Sequence, residues 1–253
     1  MMMDLRHPLR GASRRLARTI PFRPHRLELD QPTIAFTFDD FPLSAAEQAA
    51  PVLEAQEARG TFYFANQLAG QLENGQPIAS CAVAAELARR GHEIGGHTSG
   101  HLNVQRVPPD VLLADVATNS AVIEILSGER PTSFAYPFGV VSLRAKHLLA
   151  GEYGALRGIQ PGINRGWIDL AHLRAQELYD ASSTLDDVAR LLDDLELGSG
   201  WLIFYTHDVR HDPTSIGCSP DYFAAVVDLV VERGIRIEPV AATLARLTAR
   251  DPL

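Results

Sequence analysis

The chain has 253 residues, of which 46% are hydrophobic and 21% charged, so it is long enough for one large α/β domain or two small ones. Its 23 basic and 31 acidic side chains give a net charge of −8, which argues against a nucleic-acid partner. The two cysteines, Cys81 and Cys218, form no Cys-x-x-Cys pair, and no apolar run approaches the ~20 residues of a transmembrane segment.

The first 30 residues differ from the rest of the chain in charge. They contain seven arginines against Asp4, Glu28 and Asp30, a net charge of +4. We therefore predict a basic N-terminal arm over residues 1–30 and one enzyme domain over residues 31–253. An amphipathic stretch near residues 10–20 is a candidate contact for a membrane surface or a partner protein. Because no secretory apolar region follows the basic residues, the sequence predicts a cytoplasmic protein.

Short β-rich runs alternate along the chain with longer segments that repeat apolar residues at helical spacing. In chain order the predicted elements are strand 33–38, helix 45–59, strand 61–65, helix 79–90, strand 92–95, helix 109–126, strand 133–136, helix 142–149, strand 154–159, an irregular or briefly extended segment 170–179, helix 184–197, strand 201–206, helix 220–233, strand 235–239 and helix 241–249. Seven β/α units of this kind predict a parallel sheet with helical crossovers, either open or closed into a barrel. Chemistry is then expected at the carboxyl ends of the strands.

Three predicted strand ends carry residues that a mononuclear metal hydrolase needs. Asp39 and Asp40 follow the first strand, His97 and His101 follow the third, and His207 follows strand 201–206. Adjacent carboxylates repel one another unless a cation or proton offsets them. Histidines at i and i+4 lie on one face of a helical turn, and with one carboxylate they leave metal positions open for water and substrate. Each pattern alone is common in caps and turns, but together they predict a metal site.

Four motifs in the same order, FTFDD, HTSGH, FAYPFG and IFYTHD, resemble the polysaccharide deacetylase family (NodB-like, carbohydrate esterase family four) over residues 33–245. The resemblance implies a single-domain α/β fold, a distorted (β/α) barrel of about seven parallel strands. It also implies Asp39 as the catalytic base and His207 as the general acid. The implied ligands of a divalent ion are Asp40, His97 and His101, with zinc the first choice and cobalt or nickel as alternatives.

The resemblance also implies substrate contacts around the third motif. There the Pro137-Phe138-Gly139 turn would line the substrate groove, and the Phe138 backbone N–H would help to hold the oxyanion. Tyr136 and Trp167 are candidates for stacking on sugar rings, although a core or rim position is an equal alternative for each.

The sequence departs from the family pattern at two positions. Phe41 replaces the usual glycine after the aspartate pair, which predicts a bulkier turn and altered substrate access. Ala135 replaces an arginine that pairs with the catalytic aspartate. We expect Arg157 to take over this role, with Arg165 as second choice, against the alternative that both are ordinary solvated arginines.

A further family aspartate tunes the acid histidine. Asp169 is the better candidate for it and Asp208 the poorer one.

The implied activity is metal-dependent removal of N-acetyl groups from an amino sugar in an oligosaccharide, a polysaccharide or its precursor. An N-acetylated carbohydrate would then be the partner. Hydrolysis of an O-acetyl ester or a small amide by the same site, and a catalytically silent carbohydrate-binding protein, are the alternatives.

Overall fold

The computed structural model describes residues 6–73 and 75–250, and parallel strands form its centre. The strands are β1 (Pro24–Arg26), β2 (Thr33–Phe38), β3 (Thr61–Phe64), β4 (Leu72–Glu73), β5 (Gln76–Pro77), β6 (Glu93–Gly96), β7 (Ser133–Ala135), β8 (Ala155–Arg157), β9 (Trp167–Asp169), β10 (Gln176–Glu177), β11 (Trp201–Thr206) and β12 (Arg236–Ile237). The α-helices are α1 (Arg6–Thr19), α2 (Ala50–Ala55), α3 (Cys81–Arg89), α4 (Pro109–Ser127), α5 (Leu143–Leu149), α6 (Leu185–Glu196), α7 (Pro220–Glu232) and α8 (Val240–Arg250).

The main sheet runs in the order β10-β11-β2-β3-β6-β7-β8, with β12 beside β2, and every pairing is parallel. The segment that leads into β10 also bonds to β8. The N–H of Leu173 donates to the Leu156 carbonyl (2.8 Å), and that of Gly158 donates to the Leu173 carbonyl (2.9 Å). The two edges of the sheet are thus joined through one segment, and the predicted distorted (β/α) barrel is confirmed.

The central strands form because their sequences suit burial on both faces. β2 (TIAFTF) and β11 (WLIFYT) are buried at every position and pair along their whole length, from Thr33 with Trp201 to Phe38 with Thr206. β-branched and aromatic residues pack well in such strands. Phe36 on β2 stacks with Phe204 on β11, with ring centroids 5.6 Å apart, and Phe223 on α7 packs edge-on against Phe36 (5.4 Å). This packing fixes the carboxyl ends of the strands.

One helix departs from its prediction. The segment predicted as a single helix over 45–59 is π-helical over Ala45–Ala49 and α-helical only over Ala50–Ala55. The N–H of Ala50 donates to the Ala45 carbonyl, five residues back. Pro51, next in the chain, has no N–H with which to continue the regular pattern, which accounts for the wide turn before it.

The described residues before residue 30 lie against the barrel. Ala17 on α1 is fully buried, α1 contacts α5, and β1 pairs antiparallel with β9 from Pro24 with Asp169 to Arg26 with Trp167. The boundary at residue 30 stays a prediction, and residues 1–5 lie outside the described part of the chain. None of the described helices combines the length and apolarity that spanning a membrane requires.

A buried ion pair attaches this N-terminal segment. Lys146, on α5, is fully buried, and its Nζ donates to the carbonyls of Ala17 (2.8 Å) and Ile20 (2.7 Å) and to Asp169 Oδ2 (2.5 Å). Asp169 Oδ1 accepts from the main-chain N–H groups of Phe22 and Arg23. Burial opposes ionisation of Asp169, but the hydrogen bond from Lys146 and the N–H donors lower its pKa below the usual value.

Lys146→Met is expected to lower the free energy of unfolding by about 3 kcal/mol, because it leaves the Asp169 carboxylate without its counter-ion. Urea unfolding measures this, and limited proteolysis should show earlier cleavage before β2. The control is Arg190→Met, which breaks an exposed pair with Asp187 and should change stability by only about 0.5 kcal/mol. Equal losses in the two variants would contradict the assignment of Lys146 as an anchor.

Candidate active site

The predicted site residues converge at the carboxyl ends of three strands. Asp39 and Asp40 directly follow β2, His97 follows β6 and is joined by His101 from the same loop, and His207 directly follows β11. In a parallel barrel these ends share one rim, where loops can bring side chains together.

Three of these side chains form a compact ligand set. Asp40 Oδ1 lies 3.2 Å from His97 Nε2 and 3.0 Å from His101 Nε2, and one ligand atom from each residue lies within 4.8 Å of the others. The side chains are 13%, 2% and 10% exposed for Asp40, His97 and His101.

The hydrogen bonds around this set fit a cation. His97 Nδ1 lies 2.8 Å from the Ala135 carbonyl, to which only a protonated Nδ1 can donate. Nε2 is then the ring nitrogen that faces Asp40. Asp40 Oδ1 is itself buried and receives no hydrogen bond. Two nitrogens and a carboxylate oxygen that face one another are a donor set for a divalent metal, with further positions open.

Electrostatics at Asp40 point the same way. Burial opposes its ionisation, but His101 and His97 outweigh burial and hold the pKa of Asp40 well below its usual range. In return, the pKa of His101 is raised, because the attraction of Asp40 outweighs the burial of the ring. The carboxylate therefore stays ionised and attracts positive charge.

The two histidines meet for a different reason from the one predicted. We expected the i, i+4 spacing to place them on a helical turn, but residues 97–101 form a loop in which Thr98 (φ 58°) and His101 (φ 49°) are left-handed. Asp115, on α4, holds this loop by accepting from the N–H groups of Ser99 (2.6 Å) and Gly100 (3.0 Å).

Sequence reasoning missed Asp115 and a second residue of the same helix. Asn119 Oδ1 accepts from the His97 N–H (3.1 Å), and its amide donates to the Phe64 carbonyl (2.8 Å). The available signal was their i, i+4 spacing beside Leu112 and Val116, which are buried positions of α4. Polar residues on a buried helix face need hydrogen-bond partners, and the loop over residues 97–101 provides them for Asp115 and Asn119.

Backbone strain is concentrated at the site. Of the six non-glycine residues with positive φ among residues 6–73 and 75–250, five lie in the aspartate, histidine and Pro-Phe-Gly loops: Asp40, Phe41, Thr98, His101 and Phe138. Such conformations cost roughly 1–3 kcal/mol each and persist only where surrounding packing enforces them.

Phe41 supplies part of that packing, since its buried ring lies 4.8 Å from Phe62 and 5.8 Å from Phe64. The expectation that Phe41 alters substrate access is therefore wrong, because its side chain points into the core.

Asp39, the other aspartate of the pair, has a separate partner. Asp39 accepts a hydrogen bond from Arg157 Nη2, and both side chains are buried. The guanidinium carbon of Arg157 lies 5.1 Å from the Tyr63 ring centroid and 5.2 Å from that of Tyr205. Burial opposes the charge of Arg157, but Asp39 outweighs it and raises the pKa of the guanidinium.

The sheet register explains why Arg157 reaches this position. Ala135 on β7 is paired directly with Arg157 on β8, so an arginine stands one strand away from the position where the family carries one. Arg165, the second choice, lies elsewhere and forms a partly exposed pair with Asp194.

His207 lies on the opposite side of Asp40. Its Nε2 is 3.9 Å from Asp40 Oδ2, and its Nδ1 is 3.2 Å from the Ile216 carbonyl. Asp40 and His207 both line a pocket of about 220 Å³, together with Glu73, Gln76 and Ile216.

Comparison with known proteins places this site in a family. A sequence model described as polysaccharide deacetylase matches residues 26–154, half of the chain. The chain belongs to the polysaccharide deacetylase family.

Its curated relatives are distant. A peptidoglycan-N-acetylglucosamine deacetylase of Bacillus cereus is 26% identical over 109 residues, 43% of this chain and 37% of the relative. A chitin deacetylase of Pestalotiopsis sp. is 23% identical over 119 residues, 47% of this chain and 38% of the relative. The matched region thus spans less than two fifths of either relative.

Among solved structures, a family 4 acetyl xylan esterase from Clostridium thermocellum, in complex with a cobalt ion, has a TM-score of 0.60 at 19% identity, with 85% of this chain and 91% of that chain covered. This likeness is one of fold.

The geometry corrects the predicted aspartate partner of His207. Asp169 is bonded to Lys146 and the N-terminal segment, and Asp208 accepts from the N–H (2.9 Å) and Oγ1 (2.5 Å) of Thr214. Neither carboxylate contacts His207 within the described residues, because both are used to fix chain segments. The group beside His207 Nδ1 is the Ile216 main-chain carbonyl, which sequence reasoning did not find.

The third family motif presents one residue at the surface. Phe138 is 60% exposed, and its ring centroid lies 4.3 Å from that of His101. Pro137 is buried, so it shapes the turn rather than lining a groove. Tyr136 is fully buried and donates its hydroxyl to the Ala171 carbonyl (3.1 Å), so of its two alternatives it takes the core position and does not stack on sugar. Trp167 is 74% exposed but lines a different cavity.

His172 is buried against Gly158, the residue after Arg157. A Cβ at Gly158 would lie 2.4 Å from His172 Nε2, so the glycine permits this close approach. Burial, followed by the charge of Lys146, lowers the pKa of His172 to about 4.

This shift predicts a stability loss in acid. The folded state binds the His172 proton more weakly than the unfolded state does. The contribution of neutral His172 to the free energy of unfolding is therefore complete above the ordinary pKa of 6.5, and it is lost as the pH falls toward 4. Between about pH 7 and pH 4 the wild type should lose up to about 3 kcal/mol more than His172→Gln. Urea unfolding of both proteins across this range measures the difference. A difference independent of pH would contradict the assignment.

Proposed function

We propose that the protein is a metal-dependent hydrolase that removes N-acetyl groups from an amino sugar in an oligosaccharide, a polysaccharide or its precursor. The observation that carries the proposal is the buried Asp40 Oδ1, which faces two imidazole nitrogens and receives no hydrogen bond, beside a separate Asp39–Arg157 pair. Deacetylases of peptidoglycan and chitin among the relatives support an N-acetylated sugar as substrate.

The ligand set would hold one divalent ion, with zinc first and cobalt or nickel as alternatives. Asp40, His97 and His101 provide the donors. When bound, such an ion would act as a Lewis acid and would lower the pKa of a water molecule bound to it toward ~7.

The remaining side chains divide the proton transfers. Asp39 is the base that takes a proton from the attacking water, and Arg157 holds its carboxylate in place. His207, on the other side of Asp40, donates a proton to the leaving nitrogen. The N–H of Phe138 is the proposed oxyanion donor, in a turn closed by bonds from Gly139 to Tyr136 (2.9 Å) and from Val140 to Pro137 (3.1 Å).

The test is acetate release by metal-reconstituted protein from chitin oligosaccharides, peptidoglycan fragments and acetylated xylan, beside a chelated sample. We expect metal-dependent release from the N-acetylated substrates. His207→Ala should abolish that release, because an amine leaves poorly without a proton.

Other outcomes would favour the alternatives. Release from acetylated xylan alone, insensitive to His207→Ala, would replace the proposal with an O-acetyl esterase. Stoichiometric metal without turnover of any substrate, small amides included, would favour a carbohydrate-binding protein.

A further inference from the structure

A second cavity, of about 430 Å³, lies outside the catalytic pocket and shares no lining residue with it. Its walls come from the end of α1, the segment between β8 and β9, β9 itself and the residues that follow β9. The segment between β8 and β9 starts directly after Arg157, so one wall of the cavity is continuous with the catalytic rim.

The lining of this cavity is positively charged. Arg18, Arg165 and Arg174 line it, against a single carboxylate, Asp169. The charge of Asp169 is already neutralised by Lys146. Arg165 has a carboxylate partner in Asp194, but neither Arg18 nor Arg174 forms an ion pair with a described residue. Two guanidinium groups are therefore available to an anion.

Arg174 is held in place by its surroundings. Its main-chain N–H donates to Asn164 Oδ1 (3.0 Å), and Asn164 Nδ2 donates back to the Arg174 carbonyl (3.0 Å). Its Nη1 donates to the Pro161 carbonyl (2.9 Å), and the Gln160 side-chain oxygen accepts from Nη1 (3.2 Å) and Nη2 (3.3 Å). The Nε–H and one N–H of Nη2 then remain to donate to a ligand. A donor positioned in this way loses little conformational freedom when it binds a ligand.

Trp167 adds an aromatic face at the rim. The side chain is 74% exposed on β9, although the fold buries the other tryptophan, Trp201, completely. An exposed indole beside guanidinium groups suits a ligand that has both a flat apolar face and a negative charge. A sugar ring offers the first, and a phosphate or carboxylate group offers the second.

We propose that this cavity binds an anionic saccharide, whose phosphate or carboxylate pairs with Arg18 and Arg174 while its ring stacks on Trp167. The volume is sufficient for a small ligand. Paired hydrogen bonds from arginine suit both anionic groups. The inference does not depend on the proposed deacetylase activity, because its site and its readout are separate.

The test uses the full chain and three probes: glucose 1-phosphate, glucuronate and uncharged glucose. Because only Trp167 of the two tryptophans is exposed, a change in indole fluorescence on titration reports this cavity, and calorimetry gives the affinity independently. We expect at least one anionic sugar to bind and glucose not to bind. Comparing the affinity for glucose 1-phosphate with that for glucuronate shows whether the cavity prefers a phosphate or a carboxylate.

Variants locate the binding. The double variant Arg18→Gln/Arg174→Gln should weaken affinity at least about tenfold, since hydrogen bonds to charged groups contribute on this scale. Trp167→Ala should weaken binding and remove the fluorescence change. Arg190→Gln, at an exposed position of α6, is the matched control for lost charge, and Asp40→Asn should bind as the wild type does.

Several results would overturn the proposal. These are binding of glucose as tight as that of the anionic sugars, an unchanged affinity in the double variant, or no binding of either anion. Loss of binding in Asp40→Asn would place the anion in the catalytic pocket instead.

Discussion

Asp39→Asn is expected to lower kcat for acetate release by about 10²–10⁴-fold while the protein still binds its metal ion. Asn has the shape of Asp but cannot accept a proton at neutral pH, so the change removes the proposed base. Metal binding should persist, because the ligand set consists of Asp40, His97 and His101, whereas Asp39 is bonded to Arg157. Acetate release and equilibrium dialysis with zinc measure the two effects separately.

The matched control is the neighbouring aspartate. Asp40→Asn should lose both the ion and turnover, because it replaces the carboxylate oxygen that faces both imidazoles. Activities are compared per folded protein, since Asp39→Asn also leaves the buried Arg157 without its counter-ion. The reverse pattern, in which Asp39→Asn loses zinc and Asp40→Asn keeps it, would exchange the roles of the two residues.

Arg157→Met is expected to lower the free energy of unfolding by about 3–5 kcal/mol and to remove most of the activity. Arg157 is fully buried, and its removal leaves the Asp39 carboxylate in the protein interior without a cation. Arg157→Lys should fall between the wild type and Arg157→Met, because lysine keeps the charge and loses the planar pair of donors. Urea unfolding and steady-state kinetics measure the series.

A double variant separates positioning from stability. Arg157→Met/Asp39→Asn contains no unpaired charge at this position, so we expect it to regain much of the lost stability and none of the activity. Full turnover in Arg157→Met would contradict the role of Arg157 as the positioning residue of Asp39.

The sequence predicted the barrel and the strand ends well, because those features follow from local patterns. The strands over 33–38 and 201–206 have the predicted bounds, since each is an unbroken apolar run next to polar residues. The meeting of Asp40, His97 and His101 follows from strand ends that share one rim, whichever local conformation joins the histidines.

Long-range pairing could not be predicted in the same way. The sequence offered Arg157 first and Arg165 second, and only the register of β8 against β7 shows that Arg157 lies opposite Ala135. Tyr136 was open to either role because strands buried on both faces have no alternation that distinguishes inside from outside. Asp169 was misassigned because its partners come from α5 and from the segment before β2, which local sequence does not connect.

Lys146 gives the protein an unusual response to chemical labelling. It is the only lysine in the sequence and is fully buried, so every other basic side chain apart from histidine carries a guanidinium. Amine-directed acylation of this ε-amine then requires the N-terminal segment to detach from α5. The rate at which Lys146 is labelled under native conditions therefore reports the local opening of that segment, without any engineered probe.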